Sequence, residues 1–171
     1  MRAMADQWQR WARRVQVIYD GPSSGTAGTN AQDPDSPVIT GRALTINANV
    51  VRQSTTGVIV AQGGREQGYA VHLLNGRLAF DVRVDGEVTR IIGDASMPES
   101  FRFQAELNEK EMVLSVDGRQ LARGQSPGLI PVQPKDPRSI GRDELSAAGD
   151  YLSPNPLQGQ VTEVSIEATM P

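Results

Sequence analysis

The sequence predicts an all-β fold, a two-sheet antiparallel sandwich, with one N-terminal α-helix ahead of it. Three observations predict it. Apolar and polar residues alternate in six segments beyond residue 38, and Asn-Gly or Asp-Gly pairs stand between several of them. The first 19 residues instead space their apolar side chains by three and four.

In that first segment Met1, Met4, Trp8, Trp11 and Val15 form one stripe, with Arg2, Asp6, Gln7, Gln9, Arg10, Arg13 and Arg14 largely on the other faces. A helix over residues 2–16 follows, within a unit spanning 1–19. Its apolar residues are spread rather than collected, so it is not a secretion signal. A packing helix is the expected role; a basic amphipathic helix on a membrane surface or in a partner groove is the alternative. Residues 20–37 read DGPSSGTAGTNAQDPDSP, a linker with no periodic apolar residue.

The sandwich is expected over 38–171. Leu44, Ile46, Ala48 and Val50 alternate with Thr45, Asn47 and Asn49, the pattern of a half-buried strand. Gly57–Ala61 reads as a strand buried on both sides. Tyr69, Val71 and Leu73, then Leu78, Phe80, Val82 and Val84, then Val88–Ile92 make a meander turned at Asn75-Gly76 and Asp85-Gly86. Phe101, Phe103, Ala105 and Leu107 pair through a short connection with Met112, Leu114 and Val116, and Asp117-Gly118 turns the chain again. Ser139-Ile140-Gly141 is a brief strand, and Val164, Ile166 and Ala168 close the chain. Leu44, Ile46, Phe80, Val82, Phe103, Leu114, Val164 and Ile166 are the expected core between the sheets.

Composition narrows the chemistry. The 171 residues include 17 Lys+Arg and 20 Asp+Glu, one His and no Cys, for a net charge of −3. No Cys means no disulfide, thiol nucleophile or Cys-based metal site, and one His excludes a multi-His metal site. Mild acidity with only Lys110 and Lys135 as lysines argues against a nucleic-acid partner. No apolar run approaches the roughly 20 residues of a membrane span.

His72 falls opposite Tyr69, Val71 and Leu73 and is expected to face solvent or a sheet surface. Catalysis would need a nucleophile and an orienting carboxylate beside it, and no G-x-S-x-G turn is present. Gln62–Gly68 opens no helix, so it reads as a tight inter-strand loop and not as a phosphate cradle. Asp81, Asp85 and Glu87 read as solvated charges rather than paired glycosidase acids. The acidic run from Gly141 to Asp150 reads as a solvated loop, with Ca²⁺ binding through its oxygens as the alternative; no cofactor is otherwise expected. Tyr69, Arg77, Arg83 and Arg90 are candidate contacts for a sugar or sulfated glycan on an exposed sheet face, or else ordinary surface positions.

Two stretches carry a resemblance. Ser139-Ile140-Gly141-Arg142-Asp143 with Gly149-Asp150-Tyr151, Pro154, Leu157, Gly159, Val161 and Val164-Ser165-Ile166 resembles the closing strands of laminin-G/concanavalin-like jelly rolls. It is more narrowly similar to the C-terminal accessory module of bacterial arylsulfatases. Val60–Gly64, Gly68–Val71 and Asn75–Leu78 resemble that module's central hairpin, and Met1–Ala12 resembles the helix that ends a sulfatase domain. The resemblance implies a jelly roll that packs on a sulfatase catalytic domain or binds its substrate glycan, and a periplasmic or extracellular site. It implies no catalysis, because the C/S-x-P-x-R motif that yields formylglycine is absent. A concanavalin-fold glycoside hydrolase and a purely structural sandwich are the competing readings.

Overall fold

The computed structural model describes residues 18–20, by backbone, and 36–171. The expected helix over 2–16 and most of the expected linker lie outside the described residues. Eleven strands run in chain order: β1 Ile18–Asp20, β2 Ala43–Arg52, β3 Gly57–Gly63, β4 Gly68–Leu74, β5 Arg77–Val84, β6 Glu87–Ser96, β7 Ser100–Leu107, β8 Glu111–Val116, β9 Arg119–Gln125, β10 Arg138–Ile140 and β11 Gly159–Thr169. They form two antiparallel sheets. One has six strands in the order β1-β11-β2-β7-β8-β9; the other has five, β10-β3-β4-β5-β6. No helix occurs among the described residues.

The three expected turns set this register. Asn75, Asp85 and Asp117 have φ near +50°, and the glycine after each lies near +80°. Both central residues are left-handed, which suits the right-handed twist of the flanking strands. A two-residue turn then dictates the pairing on either side, so Leu74 opposes Arg77 and Val84 opposes Glu87.

All eight expected core residues are buried between the sheets. Tyr69, Val71, Leu73, Leu78, Phe80 and Val82 project from the five-stranded sheet to meet Ile46, Phe103, Leu114 and Ile166 from the other. A bulge between Val58 and Val60 puts Ile59 and Val60 together in this core. That is why Gly57–Ala61 shows no alternation.

Two features depart from expectation. β1 pairs with β11, Tyr19 opposite Ser165, at the point where helix and linker were expected to meet. The far end of the expected linker is also bonded in: Pro37 O accepts from the side-chain amides of Gln62 and Gln133. Replacing Phe80, wholly buried between the sheets, by Ala should cost about 4 kcal/mol in a urea-unfolding titration. Val51→Ala, on an exposed position of β2, should stay within about 0.5 kcal/mol.

Candidate functional site

The outer face of the five-stranded sheet carries the groups that chemistry could use. The two hairpin turns bring Ala70, Asp81 and Arg90 into one cross-strand row, with His72 one pleat further along β4. Side chains that close on one face interact directly or diagonally. Asp81 Oδ1 accepts from Arg90 Nε at 2.7 Å, and Oδ2 accepts from Arg90 Nη2 at 2.8 Å. His72 Nε2 lies 2.9 Å from Asp81 Oδ2. A carboxylate can only accept, so Nε2 carries the proton in this bond. His72 Nδ1 is buried with no hydrogen-bond partner.

This row is roofed. Residues 141–158, between β10 and β11, cross the outer face, and their length without regular structure is unusual for a compact fold. The backbone of the roof is bonded by side chains from the sheet. Asp81 Oδ2 accepts from Asp150 N at 2.9 Å, and Arg90 Nη2 donates to Asp150 O at 3.2 Å. Arg83 donates from Nε to Ala148 O at 3.1 Å and from Nη2 to Gly149 O at 3.0 Å. Asp81, Arg83 and Arg90 thus satisfy main-chain groups that a neighbouring strand would otherwise have met.

A small second core lies under the roof. Val58, Ala61 and Ala70 of the sheet pack with Ala148, and Tyr151 lies against them. The Tyr151 ring meets His72 edge-on, centroids 5.0 Å apart at 64°. Tyr151 Oη donates to Asp143 Oδ2 at 2.5 Å, and Ala148 N donates to the same oxygen at 2.8 Å. Gly149 has no room for a side chain: a Cβ there would stand 2.5 Å from Tyr151 Cε1 and 2.7 Å from Asp81 Oδ2.

Burial alone would raise the Asp81 carboxyl. The hydrogen bonds from Arg90, His72 and Asp150 N outweigh it and hold the group well below its ordinary 3.8. Asp143 moves the other way: burial raises it, and the bonds from Tyr151 and Ala148 offset that only in part. Burial, with Asp143 beside it, also pushes the Tyr151 hydroxyl up.

Several expectations are corrected here. Tyr69 is not on the exposed face: it is wholly buried in the inter-sheet core, its hydroxyl donating to Gln62 Oε1 at 3.3 Å. Arg77, Arg83 and Arg90 do share the outer face, each half-buried, and Arg77 Nε donates to Gly93 O at 2.6 Å. His72 is on the predicted face but is 1 % exposed, and Asp81, expected as a solvated charge, is 0 % exposed. Both are covered by a segment some 70 residues later in the chain. The 141–150 run is not a solvated loop, since Asp143 and Ala148 are buried within it. Among the described residues no group of His, Asp and Glu has the arrangement to hold a metal ion. Gln62–Gly68 is the tight loop expected, closed by Gly64 N donating to Gln67 O at 2.9 Å.

Beside the roof lies a cleft of about 490 Å³, lined among others by Arg65, Arg83, Glu144, Ser146, Tyr151 and Ser153. Leu145 and Leu152 also line it and are 60 % and 90 % exposed. Glu144 is paired with Arg142 at 3.1 Å. Among the described residues Arg65 has no carboxylate partner; Arg83 hydrogen-bonds only carbonyl oxygens, and its charge acts on the Asp143 carboxyl. Strand period carries no signal that Arg65, Leu145 and Leu152 are neighbours, because loop closure brings them together.

No protein-family profile matches the sequence, and no curated protein matches it. Solved structures do share its fold. The carbohydrate-binding module CBM40 of the Ruminococcus gnavus IT-sialidase, bound to α2,3-sialyllactose, superposes with a TM-score of 0.66 at 14% identity, over 90% of this chain and 92% of that one. Domains LG4-5 of the mouse laminin α1 chain give 0.65 at 18% identity, over 88% and 40%. The leech intramolecular trans-sialidase gives 0.64 at 13%, over 88% and 25%. At these identities the likeness establishes the laminin-G-like sandwich fold.

A carboxyl held below its unfolded value stabilises the fold fully above that value, and the contribution is lost as pH falls through 3.8 toward the depressed one. Asp143 has the opposite sign and weighs against folding once it ionises. Asp81→Asn should therefore lower stability at pH 7 by about 2 kcal/mol, less than a fully buried pair would lose because Arg90 is 24% exposed. Urea-unfolding curves followed by circular dichroism should show that gap shrinking below pH 4. Gly149→Ala should cost about 1–3 kcal/mol in the same assay, since backbone or ring must shift.

Proposed function

We propose that the chain is a non-catalytic glycan-binding module whose cleft beside Arg65 and Arg83 holds an acidic sugar. The observation that carries this is the exposed Arg65 guanidinium, without a carboxylate partner among the described residues, lining one cleft with Arg83. A carboxylate or sulfate placed there gains charge-assisted hydrogen bonds. Ser146 and Ser153 spend their protons on Asp136 and on the Asp143 carbonyl, so toward a ligand they are acceptors for sugar hydroxyls. Leu145 and Leu152 offer apolar surface to the C–H face of a pyranose. The neighbour bound to sialyllactose supports a sugar of this class.

The non-catalytic reading rests on His72. Its Nε2 proton is directed at Asp81, its Nδ1 meets no hydroxyl, and Asp81 is locked to Arg90 beneath the roof rather than open to the cleft. The resemblance to the arylsulfatase accessory module adds a parent in which such a domain would deliver a sulfated glycan to a catalytic domain. That link is supported by the sequence likeness alone, so the test includes a sulfated ligand.

Calorimetric titration of the full chain with 3′-sialyllactose, a sulfated lactose and plain lactose should show binding of at least one acidic form and none of plain lactose. Arg65→Ala, at an exposed position, should weaken that binding about tenfold or more, the value of one hydrogen bond to a charged group. Equal binding by the variant, or no binding of either acidic sugar, would refute the proposal.

A further inference from the structure

The six-stranded sheet has an outer face that no segment among the described residues covers, and its composition is odd for a surface sheet. Along β2 the outward positions are Thr45, Asn47 and Asn49, yet Asn is depleted in strands. Asn47 sits mid-strand between β11 and β7. Nothing in the fold uses its amide: among the described residues it has no hydrogen-bond partner, although the residue is half-buried. A residue that breaks local preference without a structural return points to function.

Its neighbours in the row are also uncharged and polar, with Gln104 Nε2 donating to Glu106 Oε1 at 2.9 Å. Ser165 of β11 opposes Asn47, Asn47 opposes Gln104 of β7, Gln104 opposes Ser115 of β8, and Ser115 opposes Gln120 of β9. One row across five adjacent strands therefore bears only uncharged groups that both donate and accept. Charged residues stand in the flanking rows, Glu167, Glu106 and Arg123 on one side and Arg102 on the other. Glu163, at the β11 irregularity, accepts from Asn49, and Glu111, further along β8, is paired with Arg123.

We propose that this row is a second binding site, for a neutral, extended, β-linked polysaccharide lying across the strands. Amides and hydroxyls that donate and accept match sugar hydroxyls, which do the same; a charged ligand would find no counter-ion in the row. Strands are spaced about 4.8 Å apart, close to the advance of one pyranose in an extended β-1,4 chain, so five strands span roughly 19 Å, about four sugars. A helical α-1,4 chain cannot keep that step. The site does not depend on the cleft reading, because face and ligand charge both differ.

The test titrates the full chain with cellohexaose, xylohexaose and maltohexaose, with amide chemical shifts mapped by NMR. Cellohexaose or xylohexaose should bind and shift amides of β2, β7 and β11 while leaving those of 144–153 unmoved; maltohexaose should bind at least fivefold more weakly. Asn47→Ala combined with Gln104→Ala should weaken binding about tenfold, and Arg65→Ala should leave it unchanged. The double variant should keep the urea-unfolding midpoint of the parent within the effect of exposed substitutions, which shows that it is folded. Failure of both β-linked hexasaccharides to bind, shifts confined to the cleft, or equal binding of maltohexaose would overturn the proposal, and none of these results bears on the cleft.

Discussion

The Asp81 carboxylate is the constraint around which the outer layer is arranged. It takes two bonds from Arg90, one from His72 and one from the main chain of the roof. Taking a carboxylate out of water costs several kcal/mol, which a lone partner would not offset. Four donors from two strands and a loop do offset it, and only in one arrangement. The roof is therefore registered on the sheet by a polar contact and not by its small apolar patch. The cleft follows from this, since roof residues line it and the Arg83 side chain that also lines it is bonded to roof carbonyls.

Much of the sandwich was legible because its two signals are local. Alternation identifies which side of each strand is apolar, and Asn75-Gly76, Asp85-Gly86 and Asp117-Gly118 set how neighbouring strands align. The same turn arithmetic puts Ala70, Asp81 and Arg90 in one row, so the ion pair was implicit in the sequence. What local pattern does not show is cover. Period two separates two faces but does not say that residues 141–158 return to bury the second one. A clue existed: Ala70 and Ala79 are small apolar residues on the side expected to be wet, beside a strand, Gly57–Ala61, already read as buried on both sides. Tyr69 was misplaced for a different reason. It was grouped with the arginines as a sugar contact although its alternation with Ala70 and His72 put it on the apolar side, where Gln62 supplies its hydroxyl with a buried partner.

The two outer faces are thus built differently. On the five-stranded sheet, charged side chains are consumed in holding a covering segment, and the uncompensated positive charge is left at its margin, beside Arg65. On the six-stranded sheet the outward residues are mostly uncharged in the middle and bear no cover among the described residues. Laminin-G-like sandwiches share the scaffold at identities that carry no residue roles. The binding chemistry proposed for this chain therefore rests on its own side chains.

Amide hydrogen exchange tests the central claim most directly, that polar bonds fix the roof to the sheet. The account predicts that the amides of Ala148 and Asp150, whose acceptors are Asp143 and Asp81, exchange as slowly as neighbouring amides of β4 and β5 at neutral pH. Exchange of those two amides at the rate of exposed loop positions, while the strands stay protected, would contradict it.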